Sequence, residues 1–256
     1  MKGNIDKGRK ILCLFGMLSL LLSFNAMADE KGRKIMEEVD SLPVLEKMIS
    51  ETVLDIYDAQ DKLLFSKKSR TGNYISDFRD NKKRLRRSIS YFFAPADDKG
   101  NGALMIEVPD GEDDQWIYLK GLRKPKRVMG SDKGSSFMGS DFSNGDVSAR
   151  DIDDSDFTWL GTENLTTVYE SNNKEQKVSL EVEKIQSVFK SAKQRDDYGY
   201  SKSIVWINVK SGLPLKMEHY NLGGQLEKSA ELKSFTLKRN KDEKKIYIVT
   251  SLEIKN

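Results

Sequence analysis

The chain has 256 residues, with 43 basic and 40 acidic side chains but only one histidine and one cysteine. That scarcity excludes cysteine–histidine catalysis in the mature chain and zinc sites rich in these two residues. The first 28 residues hold four basic residues and one acidic residue, so the remaining 228 carry 39 of each sign. A chain balanced in this way lacks the electrostatic signature of a nucleic-acid-binding protein, and we expect no nucleic-acid partner.

Residues 1–28 are predicted to form a secretory signal peptide. Four basic residues precede an apolar run, Ile11–Phe24. After this run, Ala26-Met27-Ala28 is a small-x-small cleavage motif. The run is shorter than the roughly 20 residues that span a bilayer. Cys13 lies inside the run and not after it, so we expect no lipid anchor. The mature chain is therefore predicted to begin at Asp29, after cleavage at Ala28-Asp29.

The first half of the mature chain is predicted to be one helical region followed by strands. Apolar residues recur at helical spacing within Glu30–Ser50, where Pro43 interrupts the pattern and Val44–Ile49 is expected to add a further turn or two. Thr71-Gly72-Asn73 and Pro109-Asp110-Gly111 read as turns. The predicted strands are Val53–Tyr57, Lys62–Arg70, Leu85–Phe93, Ala103–Val108 and Trp116–Leu119.

The second half shows clearer strand patterns. Val178, Leu180 and Val182 alternate with polar residues, as in a strand with one buried face, and the alternation slips at Lys184-Ile185, which predicts a bulge. The connections between the later strands are short, so these strands are expected to pair antiparallel. These strands are Ser203–Val209, Leu215–Tyr220, Glu227–Lys238 and Lys245–Ile254.

Two of these strands are apolar on both faces. Ser203–Val209 carries valine and isoleucine on one face and Ile204 and Trp206 on the other, and Leu85–Phe93 ends in three consecutive aromatic residues. Such strands need cover on both sides. We therefore predict a mainly β (α+β) fold in a single domain, residues 29–256. Its centre is a large curved antiparallel sheet, an incomplete β-barrel of about 10–11 strands, with a few helices on the concave side. A sandwich is the alternative.

Motifs for enzymatic or metal chemistry are weak. His219, the only histidine, lies in a predicted strand, where we expect it to be half-exposed, and no Gly-x-Ser-x-Gly motif accompanies it to indicate a serine–histidine–acid triad. The acidic run Asp151–Asp156 lacks the sixth-position glycine of a calcium loop and has Thr162 where the loop needs its final acid. We expect no enzyme activity, no metal and no cofactor.

A glycine-rich loop between residues 130 and 145 contains the large apolar residues Phe137, Met138 and Phe142. Each would gain roughly 1.5–3 kcal/mol on full burial, so they are expected either to cap the core or to line the rim of a pocket. Methionine suits a pocket for variable apolar ligands. Two basic clusters, one of them Lys82–Arg87, are either solvated or contact anionic lipid headgroups. The headgroup candidates in the other cluster are Arg123, Lys126 and Arg127.

Several segments resemble the outer-membrane lipoprotein-sorting (LolA-like) family of exported bacterial proteins. The central one is Trp116–Leu119 followed by Leu122–Lys124, Lys126–Val128 and Lys133–Phe142. The others are Phe92–Pro95 with Lys99-Gly100 and Ala103–Met105, and Val205–Ile207 with Gly212–Lys216 and Tyr220–Leu226. The chain departs from the family at Lys120, where proline is usual, and at Asn144-Gly145-Asp146, which replaces a more usual aromatic-acidic sequence.

The resemblance implies an incomplete β-barrel that encloses an apolar cavity, and a periplasmic carrier or chaperone that transports lipid, acyl chains or lipoproteins without covalent chemistry. It also implies an inner-membrane exporter as a candidate partner, and we expect a monomer. The predicted cavity or rim residues are Trp116, Tyr118, Phe137, Met138, Phe142 and Trp206. The family-motif loop residues are Ser136, Gly139, Ser140 and Asp141. A docking or regulatory module for an exporter or sensor protein is the alternative.

Overall fold

Twelve strands in two six-stranded sheets make up most of the structure. The structure is a computed structural model and describes residues 29–78, 83–108, 111–148, 150–172 and 174–255. Two helices accompany them: α1 over residues 29–40 and α2 over Ala192–Tyr198. The first sheet holds β1 (Lys47–Tyr57), β2 (Leu63–Phe78), β3 (Lys83–Ala94), β4 (Gly102–Ile106), β5 (Asp114–Leu119) and β6 (Lys124–Arg127). The second holds β7 (Ser155–Ser171), β8 (Lys174–Phe189), β9 (Tyr200–Asn208), β10 (Leu213–Asn221), β11 (Leu226–Arg239) and β12 (Lys245–Lys255).

The two sheets differ in topology. The first is a meander in which β1 to β6 pair antiparallel in chain order. The second has the order β10-β9-β8-β7-β11-β12, and β11 also pairs with β10. The middle of β11, Ser234–Thr236, pairs in parallel with Val168–Glu170 of β7, which bends this sheet strongly. The predicted mainly β, curved and incompletely closed architecture is confirmed, with the strands divided between two sheets.

The hydrophobic core belongs mostly to the second sheet. One cluster, on the face that carries Trp206, contains Val182, Leu232 and Phe235. A second cluster lies where Ile35 of α1 packs against β7, β8 and β9 through Phe157, Ile185 and Ile207. Strand β9 is therefore covered on both faces, as its sequence predicts. Strand β3 is not, because Phe92 is buried whereas the neighbouring Tyr91 is largely exposed.

Several predicted boundaries are wrong. The helix ends at residue 40, and the region expected to extend it instead enters β1, whose residues form a continuous ladder with β2. Thr71-Gly72-Asn73 is not a turn but the middle of the 16-residue strand β2. Strands β6 and β7 and helix α2 have no counterpart among the predicted elements. The irregularity expected at Lys184-Ile185 is present, but the extra residue lies in β7, between Trp159 and Gly161. The predicted turn at Pro109-Asp110-Gly111 falls partly outside the described residues.

Candidate functional site

One face of the first sheet leaves large apolar side chains in contact with solvent. Ile49, Gly72, Ile89, Leu104 and Trp116 are cross-strand partners in β1 to β5, so their side-chain positions share one face. Ile49, near the start of the edge strand β1, is 78% exposed, and Ile89, in the middle of β3, is 61% exposed. We call this the open face.

Gly72 makes a notch in the middle of the open face. It stands between Ile49 and Ile89 in the cross-strand row and has no side chain to fill the space between them. Its backbone is ordinary strand, and a Cβ built there would meet Ile89 only at 3.8 Å, an unstrained contact. Glycine is therefore not required here for backbone conformation. Its effect is to leave the open face hollow at this point.

Two adjoining grooves lie at this notch, and both are lined by Ile49, Gly72 and Ile89. The first has a volume of about 450 Å³ and extends past Tyr74 to Leu104. The second has a volume of about 420 Å³ and extends past Tyr91 and Phe93. Both are shallow and open to solvent, as the exposure of Ile49 and Ile89 requires. Their apolar lining suits a hydrocarbon ligand.

The charged groups at the two grooves are arranged differently. In the second groove Glu51 and Arg70 face each other across β1 and β2 and form an ion pair, with the Arg70 Nε 3.2 Å from Glu51 Oε1. The first groove is lined by Lys47 and Arg87, which flank Tyr74 in a single cross-strand row. Within the described part of the chain, neither cation forms an ion pair with an acidic side chain. The first groove therefore has a positive end.

The family-motif loop forms a tight hairpin on the opposite, covered face of the first sheet. The Phe137 amide donates to the Phe142 carbonyl at 2.7 Å, and Ser140 Oγ donates to the Phe137 carbonyl at 2.7 Å. Ser136 Oγ donates to the Ser140 carbonyl at 2.6 Å. Met138, at φ +53°, and Gly139, at φ +75°, form the tip in left-handed conformations. Serine and glycine in this motif therefore have a structural role in building the turn.

Two buried lysines attach this hairpin to the sheets. Lys67 of β2 donates to the Met138 carbonyl at 2.7 Å and forms an ion pair with Asp98 at 3.1 Å. Lys228 of β11 donates to the Asp141 carbonyl at 2.8 Å and pairs with Asp146 at 2.9 Å. Met138 itself is buried, so the loop tip packs against the rest of the protein and does not project into solvent.

Asp146 is the centre of a buried polar network. It also accepts hydrogen bonds from the Tyr200 hydroxyl at 3.0 Å and from the Ser143 amide at 2.9 Å. Burial opposes its ionisation, but the Ser143 amide and the Lys228 ammonium hold the pKa of Asp146 below its usual value. Gly145 is needed beside it, because a Cβ there would lie 2.6 Å from Tyr198 Cδ1. Residues 144–146, which differ from the usual family sequence, thus supply both the carboxylate that anchors the hairpin and the glycine that allows Tyr198 to pack closely beside it.

His219 belongs to the same buried region but does not complete a catalytic triad. Its Nδ1 lies 2.7 Å from Ser203 Oγ, and its ring stacks on Tyr200 at a centroid distance of 4.6 Å. Burial, aided by the positive charge of Arg150, lowers the pKa of His219 to about 4. Among the described residues, no carboxylate hydrogen-bonds to the imidazole, as a triad requires. The predicted half-exposed position is wrong, since His219 is buried.

The six predicted lipid-contact residues do not form one cluster. Trp116 and Tyr118 of β5 share the open face with the grooves. Phe137, Met138 and Phe142 lie in the hairpin on the covered face. Trp206 lies in the core of the second sheet, between the ammonium groups of Lys184 and Lys216. None of the six lines either groove, and their contact with lipid stays a prediction.

The basic cluster at the β5–β6 hairpin is exposed and partly neutralised. Lys126 pairs with Asp132 at 3.2 Å and Arg127 with Asp114 at 2.6 Å. Arg123 stands at the turn with φ +52°, next to the exposed Leu122. Contact of these three cations with lipid headgroups stays a prediction.

The residues that form the grooves were missed because their patterns are ambiguous in sequence. Ile49 was assigned to a helix and Gly72 to a turn. The available signal was the glycine itself, because a glycine inside a strand often marks a place where a ligand or another backbone approaches closely.

Over the described ranges, no group of three or more His, Cys, Asp or Glu side chains is arranged to hold a metal ion. In the same part of the chain, no helix is both long enough and apolar enough to cross a bilayer.

The fold and the open face define a mainly β protein with an apolar groove on one exposed sheet face. A model of a family described as uncharacterized proteins matches residues 84–256, and the chain belongs to this family. Among curated proteins, none matches the sequence significantly. The family resemblance seen in the sequence is confirmed by this match and by the solved structures that share the fold.

Solved structures that share this fold include the following two. A DUF1329 family protein from Desulfovibrio piger superposes with a TM-score of 0.72 at 22% identity, over 90% of this chain and 86% of that one. A putative outer membrane lipoprotein-sorting protein domain from Vibrio parahaemolyticus superposes with a TM-score of 0.67 at 22% identity, over 89% of this chain and 94% of that one. At this level of identity the likeness concerns the fold.

Proposed function

We propose that this protein is a periplasmic carrier that binds a lipid or acyl chain non-covalently on the open face of its first sheet. The observation that carries the proposal is the row Ile49–Gly72–Ile89, where two exposed isoleucines flank a glycine notch shared by two apolar grooves. Contiguous exposed apolar surface of this kind on a sheet face is a mark of a binding site. The cargo class includes free lipids and acylated proteins.

The energetics favour hydrocarbon as the ligand. Each buried methylene contributes about 0.8 kcal/mol, and covering the isoleucines adds to this gain. The cost of immobilising the ligand is partly offset because the groove is already formed by paired strands. Binding of this type needs no covalent step, so the proposed role is transport and not catalysis.

The test is to place charge in the path of the acyl chain. The double variant Ile49→Asp, Ile89→Asp should fold normally, because both side chains are mostly exposed. We expect it to retain lipid at least roughly tenfold less than the wild type, since two apolar contacts are lost. The measurement is organic extraction and mass spectrometry of lipid bound to protein purified from the periplasm, with Kd values for a defined lysolipid.

A matched control introduces the same two negative charges on the other sheet. Leu160→Asp, Leu226→Asp also replaces two exposed apolar residues with aspartate, but in β7 and β11. It should retain lipid like the wild type. Equal lipid content in all three proteins would remove the open face from the transport hypothesis.

The alternative is that the open face binds a protein, such as an exporter or sensor. Strand β1 is at the edge of its sheet, where an added strand could pair with it. A purified protein without bound lipid that nevertheless requires Ile49 and Ile89 to retain a membrane protein partner would favour this docking function.

A further inference from the structure

The positive end of the first groove has features of an anion subsite. Lys47 and Arg87 lie on β1 and β3, on either side of Tyr74 of β2. Two strand spacings separate their backbones, which is about 10 Å and within reach of two long side chains that converge on one small anion. The Lys47 ammonium lies 5.7 Å from the centroid of the Tyr74 ring, so it already leans over the middle of this row.

The subsite adjoins the apolar row. Lys47, Tyr74 and Arg87 precede or follow Ile49, Gly72 and Ile89 by two residues in their strands, which places the charged row about 7 Å from the apolar row. A ligand with a negative group at one end and a hydrocarbon tail would therefore contact both rows without bending.

The difference in charge between the two grooves sets the orientation of such a ligand. In the second groove the charge of Arg70 is already neutralised by Glu51, whereas in the first groove Lys47 and Arg87 have no acidic partner in the described part of the chain. An anionic end is thus attracted to the first groove only. The tail then extends over Gly72 towards Tyr91 and Phe93 in the second groove.

We propose that Lys47 and Arg87 form a headgroup subsite for an anionic lipid whose phosphate or carboxylate binds there while its acyl chain lies across Gly72. The arginine guanidinium suits either group because it can donate two parallel hydrogen bonds to one anion. This inference rests on the proposed carrier function and adds a preference for lipids with net negative charge.

The experiment compares two single-chain lipids with the same acyl chain, lysophosphatidic acid and the uncharged monoacylglycerol, by displacement of a neutral apolar dye. The wild type should bind the anionic lipid roughly three- to thirtyfold more tightly, since two exposed charge contacts are involved. Raising the salt concentration should reduce this ratio, because exposed charges are screened.

The variant Lys47→Gln, Arg87→Gln should bring the ratio close to one while it still binds monoacylglycerol like the wild type. The control Lys177→Gln, Lys238→Gln removes the same net charge from exposed positions in β8 and β11 and should keep the preference. An unchanged preference in the Lys47, Arg87 variant would overturn the subsite.

Two further results separate the possible failures. If neither lipid displaces the dye, both the carrier function and the subsite are wrong. Equal binding of both lipids to the wild type contradicts the subsite alone. Inorganic phosphate, tested without any lipid, should not compete with lysophosphatidic acid at millimolar concentration. Competition at the affinity of the lipid would show a free-phosphate site instead and would overturn the headgroup assignment.

Discussion

The two sheets contain similar apolar strand residues but bury them very differently. In the second sheet, Ile185 is completely buried between β7, β9 and α1, whereas Ile89 in the first sheet is 61% exposed. Among the described strands of the first sheet, only Phe92 and Met105 are buried hydrophobic residues. The second sheet therefore holds most of the buried hydrophobic side chains, whereas the first sheet keeps large apolar side chains in contact with solvent.

The largest expected effect of this difference concerns ion pairs. Lys228→Met removes the nearer of two cations that pair with Asp146, and the side chains of Lys228 and Asp146 are less than 10% exposed; Arg150, at 3.5 Å, remains. Breaking this buried pair, together with the Lys228 hydrogen bond to the Asp141 carbonyl, should lower the free energy of unfolding by about 3–5 kcal/mol. Arg70→Met breaks the exposed Glu51 pair of the first sheet and should cost less than about 1 kcal/mol. Urea denaturation of both variants measures the contrast, and similar costs would contradict it.

The next effect compares two isoleucines. Ile185→Ala should lower the free energy of unfolding by about 2–5 kcal/mol, because it removes a side chain enclosed by the core. Ile89→Ala should change it by less than about 0.5 kcal/mol, since its side chain already contacts solvent. The same denaturation experiment applies, and a large loss in the Ile89 variant would mean that the open face is covered in solution.

The smallest of the three effects depends on pH and should arise from the second sheet alone, because His219 is the only histidine. Burial lowers its pKa from 6.5 to about 4. Between these values the unfolded chain binds a proton that the native protein does not, so stability is full at pH 7 and falls as the pH drops from 6.5 to 4. The expected loss is on the order of 3 kcal/mol.

His219→Asn should flatten this part of the stability profile. The difference between variant and wild type cancels the contributions of other groups, including Glu107 and Asp113, whose pKa values are raised mainly by burial. Identical slopes in the two proteins would show that His219 is accessible to protons in the native state.

The same contrast explains what the sequence could predict. Strands with one buried face alternate in polarity, so Val178–Val182 and the later strands of the second sheet were located correctly. The apolar pattern of β8 slips at Lys184-Ile185 because Val182 and Ile185 lie on opposite faces of the strand, in different core clusters, while the extra residue that shifts the pairing lies opposite, in β7.

On the first sheet these signals fail. An exposed face does not require alternation, so apolar residues such as Ile49 gave a helical pattern by chance. Gly72 read as a turn because glycine is common in turns, although here it interrupts the side chains and not the strand. Met138 is buried in the loop on the covered face and Trp206 is in the core of the second sheet, so neither lines a groove, and their contact with lipid stays a prediction. The family resemblance identified the fold, but it did not locate the groove.

The pairing of β11 with β7 has a consequence for folding. Ser234–Thr236 must meet Val168–Glu170 across some 66 residues of intervening chain, and β11 must also pair with β10. Long-range pairing of this kind forms slowly, because the entropy of loop closure is lost before the contacts form. The core around Phe235 therefore cannot assemble until the chain is available as far as β11, so the β7–β8 hairpin must exist for a time with its Phe235-facing side uncovered.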